Sequence, residues 1–127
     1  MADEPDRTYP HLHLRLTFAN GGWIGPGKAD LLEGIAETGS ISGAGRRMGM
    51  SYKRAWGLAE ALNTMFQTPL VTASRGGPAH GGAELTEAGR AVLAHYRGLQ
   101  ARAAEAGAGD MGALAALARG SDISGRK

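Results

Sequence analysis

Between residues 40 and 66 the chain reads SISGAGRRMGMSYKRAWGLAEALNTMF. Its run Ser51, Tyr52, Lys53, Arg54 sets a hydroxyl, a phenol and two cations on the opening turn of a helix. Such groups at the positive N-terminal end of a helix suit phosphate oxygens and base edges. Arg46, Arg47, Lys53, Arg54 and Arg75 oppose only Glu60 between residues 46 and 75, a balance of +4 by count (5 minus 1), in a chain whose formal total is +2. A charge run alone is commonly a solvated helix face. Here it coincides with a short helix, a glycine turn and a second helix, and that combination points to DNA.

Other candidate chemistry is weaker. Residues 22–28, GWIGPGK, match the spacing of a phosphate-binding P-loop up to Lys28, but position 29 is alanine where the motif needs Ser or Thr to hold magnesium. No apolar strand ending in a metal-binding aspartate and no series of βα units accompanies it, so the stretch reads as a loop entering a helix. His11 and His13 share a strand face without an identifiable third ligand, which favours two solvent-facing histidines over a metal site. The chain offers no convincing nucleophile and base, no paired carboxylates in a recognisable motif and no metal cluster, so no catalytic, metal or cofactor residue is assigned and an enzyme ranks last.

The elements that must carry these groups follow from periodicity. Ile41, Ala44 and Met48 fall on one helical face, with Ser40 as N-cap; Gly49 supplies the left-handed end of that helix and Ser51 caps the next. Ala55, Leu58, Ala59, Leu62 and Phe66 then form one apolar stripe, while Lys53, Trp56, Gly57 and Glu60 point the opposite way. Upstream, residues 11–18 alternate strictly, with Leu12, Leu14, Leu16 and Phe18 on one side, and read as a half-buried strand. Asn20 to Gly22 is a turn, and a helix from about Gly27 to Thr38 presents Leu31, Leu32 and Ile35. Downstream, Pro69 stops the long helix. Residues 70–74 and 83–85 read as a hairpin with a glycine-rich tip carrying Arg75 and His80. Thr86 caps a last long helix whose seam is Ala88, Val92, Tyr96, Leu99 and Ala103, with Leu93 beside it, and that seam is expected to pack both on its own domain and on a twofold mate. Met111, Leu114 and Leu117 suggest a weak terminal helix, and residues 119–127 read as disordered.

With 127 residues the chain is one small domain, without room for a second sensing domain of usual size. It contains no cysteine, which excludes disulfides and thiolate metal sites. No apolar run approaches the roughly 20 residues that span a bilayer, and the N-terminus MADEPDRTYP is acidic rather than signal-like. A soluble cytoplasmic protein is expected. The 21 glycines are scattered at turns and loops, with no internal repeat.

The order strand, helix, helix, recognition helix, wing, long helix is that of a winged helix-turn-helix: mainly α with a small β wing. At residues 49–63, GMSYKRAWGLAEALN, and at the glycine-rich wing leading to LTEAGRAVL, the chain closely resembles the N-terminal DNA-binding domain of the molybdate-responsive ModE regulators. It is more distantly similar to the LysR-type DNA-binding head. The resemblance covers roughly residues 12–105, and Ser51-Tyr52-Lys53 with Ala55-Trp56 is its most specific part. It implies a homodimeric regulator that binds a double-stranded operator through Ser51, Tyr52, Lys53, Trp56 and the wing around residues 75–82. Arg54, Arg46, Arg47, Arg75 and His80 are added from the charge reading.

The division expected is a flexible N-terminus (1–10), the winged domain (11–106) with a dimerisation helix at about 86–106 built on Val92, Tyr96, Leu99 and Ala103, and a Gly/Ala-rich, partly disordered tail (107–127). Full-length ModE proteins carry C-terminal oxyanion-binding domains for which this chain is too short. Molybdate is then a signal by resemblance only, and a stand-alone regulator or one served by a separate sensor protein is expected. The competing reading is a winged-helix protein-interaction module that uses the seam of residues 88–103 and an exposed Trp56 and has only non-specific DNA affinity.

Overall fold

The computed structural model describes residues 9–74 and 82–119. A two-residue hairpin, β1 (Leu16–Thr17) with β2 (Trp23–Ile24), leads into α1 (Pro26–Thr38), α2 (Ile41–Arg47) and α3 (Tyr52–Met65). The wing strands β3 (Val71–Ala73) and β4 (Ala83–Leu85) follow, and then α4 (Glu87–Ala106) and α5 (Ala108–Leu117). Both sheets are antiparallel pairs, with Leu16 opposite Ile24 and Val71 opposite Leu85. Among the described residues no helix is long and apolar enough to cross a membrane.

The helix boundaries have local causes. Pro26 occupies the first turn of α1, where its missing N–H costs nothing, and Gly39 ends the helix at φ 77°. Ser40 accepts from the Gly43 N–H at 2.8 Å and opens α2. Gly49 turns the chain at φ 71°, so that Ser51 can accept from the Arg54 N–H at 3.1 Å and open α3. Thr86 does the same for α4 through the Gly89 N–H at 2.9 Å, with Glu87 in the first turn.

Three helices meet over a core of Leu31, Leu32 and Ile35 from α1, Ala44 from α2, and Ala55, Ala59 and Leu62 from α3. Val71, Ala83 and Leu85 of the wing close it from one side. Small residues set the helix separations: a Cβ on Gly34 would lie 2.9 Å from that of Ala44, and one on Gly45 2.9 Å from that of Ala55. A second cluster joins Ile24, Ala29 and Tyr96 and seats α4 against the front of α1. Arg97 reinforces that seat with Glu33 at 2.6 Å and Asp30 at 2.8 Å. Burial by itself would lower the Arg97 pKa, but the hydrogen bonds to Asp30 and Glu33 outweigh it and raise the value.

One expectation is corrected here. The strand over residues 11–18 shortens to Leu16–Thr17, because only those residues find a ladder partner, and Leu16 is exposed rather than half-buried. The Leu14 carbonyl is instead taken by the Tyr96 hydroxyl at 2.7 Å. Of the seam expected to pack both on its own domain and on a twofold mate, Tyr96 takes the first role. It lies buried inside its own chain, where its ring fills the cluster with Ile24 and Ala29. Val92 packs against both clusters of the same chain. Leu99 is the exposed member of the seam, at 38%, and Ala103 is half-buried.

Candidate nucleic-acid interface

The buried stripe of α3, Ala55, Ala59 and Leu62, fixes which residues look outward. At about 100° per residue, Lys53, Gly57 and Glu60 stand opposite that stripe, and all three are exposed. Tyr52 and Trp56 are one turn apart on the flank that faces the wing, 56% and 46% exposed. Together with Glu60 and Asn63 they line one side of a groove of about 240 Å³ whose other side is Val71, Thr72, Ala73 and Gly82. Arg54 is exposed on the opposite flank, beside the Ser51 cap. The helix thus offers a cation at the middle of its free face and two aromatics between that face and the wing.

Position of the wing relative to α3 depends on Asn63, which the sequence reading passed over. Its side-chain oxygen accepts from the N–H groups of Leu70 and Val71 at 2.8 and 2.9 Å, and its amide donates to the Val71 carbonyl at 3.0 Å. One side chain therefore holds both backbone polar groups of Val71 and the N–H of Leu70. An Asn seven residues before an apolar run was the available signal, but amide-to-backbone brackets have no fixed spacing. The far strand is tied as well: the Ala83 N–H donates to the Gly39 carbonyl at 2.9 Å, and Ser40 bridges Gly82. Thr86 closes the wing's base by donating its hydroxyl to the Pro69 carbonyl at 2.7 Å.

The basic residues are not equivalent. Arg47 is ion-paired with Glu37 of α1, a partner outside the window of residues 46–75, so the local excess of positive charge is smaller than the count within that window. Arg46 is exposed on the last turn of α2. Arg75 and His80 lie outside the described residues. Lys28, the lysine of the P-loop-like spacing, is buried: its ammonium donates to the Trp23 carbonyl at 3.1 Å and sits 3.5 Å from the centre of the Trp23 ring. Burial, and then the nearby charge of Arg15, pull its pKa below the usual 10.5. The hydrogen bond and the cation–π contact both serve the β2–α1 junction, so the spacing marks a packed corner and leaves no lysine to reach a phosphate. The His11 and His13 rings meet edge to face at 4.4 Å.

The lysR family of bacterial regulatory helix-turn-helix proteins matches residues 28–90, from Lys28 in α1 to the first turn of α4. Residues 28–90 are a DNA-binding helix-turn-helix of the lysR family. Among curated relatives, this lysR-type domain is similar to the molybdenum-pterin-binding protein MopB of Rhodobacter capsulatus, 45% identical over 85 residues, 67% of this chain and 32% of MopB. It is also similar to the molybdenum transport protein ModE of Azotobacter vinelandii, 41% identical over 70 residues, 55% of this chain and 26% of that protein. The DNA-binding transcriptional dual regulator ModE of Escherichia coli K12 is 38% identical over 71 residues, 56% of this chain and 27% of that protein. The chain thus spans about a third or less of the length of these relatives.

Among solved structures, the CbnR DBD–DNA complex aligns with 68% of this chain and 94% of its own, at 26% identity and a TM-score of 0.55. Full-length LysG of Corynebacterium glutamicum with bound effector Arg aligns with 69% of this chain and 28% of its own, at 27% identity and a TM-score of 0.51. In the lysR-type domain, α2 and α3 are the helix-turn-helix and β3–β4 the wing.

Proposed function

We propose that the protein is a sequence-specific transcriptional regulator of the ModE type, working in the cytoplasm as a homodimer that places one α3 in each of two operator half-sites. The observation that carries this reading is the free face of α3: a side-chain-capped N-terminus, exposed Tyr52, Lys53, Arg54 and Trp56, and a wing bracketed to the same helix by Asn63. In this reading Lys53 and Arg54 meet phosphates or base edges at the positive helix end, and Arg46 meets the backbone from α2. Arg75 and His80 extend the contact from the wing. Kinship with MopB and with ModE proteins supports a role at molybdenum-related genes. A molybdate signal would reach this domain through an attached region or a separate sensor protein.

The test is fluorescence anisotropy with duplexes from upstream of this gene and its neighbours, against scrambled duplex, over a salt series and with or without molybdate. A preference of at least about 1,000-fold for one duplex is expected. Lys53→Ala or Arg54→Ala should weaken it by about 1–3 kcal/mol where the contact is to a base, and flatten the salt slope where it is to phosphate. Equal, steeply salt-dependent binding to every duplex would leave only a generic basic surface.

A further inference from the structure

Tyr52 and Trp56 present two large aromatic side chains to solvent on the face of α3 that borders the wing. Among the described residues neither has a hydrogen-bond partner, a ring contact or a cation over its ring, and both open into the groove toward Thr72 and Gly82. The fold gives them no internal role comparable to that of Tyr96, whose hydroxyl and ring are both engaged. Beside Trp56, Gly57 has nothing within 4 Å of where a Cβ would be, so the helix surface there is bare and the indole stands clear of its neighbour.

What lies next on the same stripe decides between two parts of a DNA duplex. Glu60, one turn beyond Trp56, lines the same groove and is exposed. Ring faces and carboxylate together offer a phosphate chain no attraction: the carboxylate repels it, and the faces carry no charge. They suit the floor of the major groove, where thymine presents its 5-methyl group to apolar side chains and cytosine its N4 amine to a carboxylate. The cations that suit phosphate sit on the first turn: Lys53 on the free face with Glu60 but nearer the positive helix end, and Arg54 on the flank away from the wing. We infer that Tyr52 and Trp56 are specificity-determining residues that read thymine by its methyl group, while Lys53 and Arg54, farther around the helix from the wing, hold the backbone. This inference rests on the DNA-binding reading and deepens it.

The experiment begins by selecting bound duplexes from a random pool with the full chain. The selected duplex is then titrated with each thymine replaced in turn by deoxyuridine, which removes the methyl and leaves every hydrogen-bonding group in place. At one or two thymines the wild-type protein should bind the deoxyuridine duplex about fourfold more weakly, the factor expected for burying one methyl-sized group. Trp56→Ala or Tyr52→Ala should bind the thymine and deoxyuridine duplexes alike at the matching step, whereas Lys53→Ala, though weaker overall, should keep the fourfold difference. Thermal melts followed by circular dichroism confirm that the variants fold, and Trp56→Phe, which keeps an aromatic face, should restore part of the discrimination. Deoxyuridine without effect at every position, or an effect that survives both aromatic-to-Ala changes, overturns the proposal while leaving a sequence-specific DNA binder. Selection that enriches no sequence overturns the DNA-binding reading itself, and the thymine reading with it.

Discussion

Asn63 shows how one side chain can set the geometry of an interface without touching the ligand. Its three hydrogen bonds satisfy backbone groups of Leu70 and Val71 just where the chain leaves α3 and enters the wing. Asn63→Ala leaves those groups without a protein partner, and a loss of about 2–4 kcal/mol in urea unfolding is expected, together with weaker DNA binding as the wing loses its register against α3. Asn63→Asp, which keeps the accepting oxygen and loses the donor, should be milder than Asn63→Ala in both assays; equal stability of all three proteins would refute the bracket. Tyr96 is the corresponding residue at the other end of the domain. Burial, with a smaller contribution from Asp30, raises its pKa above the usual 10.0, against the opposing charge of Arg97. The unfolded chain therefore ionises first, so the Tyr96 contribution is complete below pH 10.0 and is lost as pH rises through the folded-state value. Tyr96→Phe should cost about 1 kcal/mol at neutral pH by losing the bond to the Leu14 carbonyl. The gap between wild type and variant should close above pH 10.0 in chemical melts across pH, and a gap that stays constant would rule out the tyrosine as its source.

At the scale of elements the same residue type acts in opposite ways, and glycine makes the contrast testable. Gly89 lies in the first turn of α4, where a Cβ would fall 2.2 Å from the Leu70 carbonyl oxygen, so α4 can meet the wing's base only with hydrogen at that position. Gly112, in the middle of α5, has nothing within 4 Å. Gly89→Ala should therefore destabilise the domain by about 1–3 kcal/mol through overpacking against backbone. Gly112→Ala should favour helix by up to about 1 kcal/mol through propensity alone. Unfolding followed at 222 nm checks both, and a matching sign for the two changes would contradict the packing assigned to Gly89. This pair also marks what was legible in the sequence. Caps and periods are local, so Ser40, Ser51, Thr86 and the α1 core of Leu31, Leu32 and Ile35 were readable, as was the order of helices and wing. The close approach at Gly89, the Asn63 bracket and the Glu37–Arg47 pair join residues without a fixed spacing. The strand over residues 11–18 was over-read for the same reason: its alternation was real, but a strand needs a partner, and only Leu16 and Thr17 have one. Of the candidate interface, Tyr52, Lys53, Arg54 and Trp56 were singled out by type and are exposed, while the orientation of Tyr52 and Trp56 toward the wing needed the folded chain.

Across the whole molecule, the helix-turn-helix end and the C-terminal end have opposite surface characters. The first is basic and aromatic; the second is α5, a ten-residue helix with no buried residue and a single charge, Asp110. Leu114 is 67% exposed and Leu117 83%, three positions apart on α5, and Leu99 of α4 is exposed as well. A helix this short is marginal in water unless an apolar face is covered, and within the described residues α5 touches its own chain mainly through the turn into α4. If the protein is the homodimer proposed above, α5 and the outer part of α4 are the surfaces left to cover one another. Of the seam read from sequence, Tyr96 and Val92 are engaged inside the protomer and Leu99 is exposed. Replacing Leu114 and Leu117 together by Glu should then give a protein that sediments as a monomer at concentrations where the wild type is a dimer, with its core unfolding transition unchanged. On DNA the consequence is specific to length. Affinity for a single half-site should be retained, since α3 and the wing are untouched, whereas affinity for a duplex carrying two half-sites one helical turn or a multiple of it apart should fall at least tenfold, as the second contact is no longer linked to the first. A wild-type protein that sediments as a monomer and binds one and two half-sites with equal affinity per site would remove the dimer, and would leave α5 as a surface for some other chain.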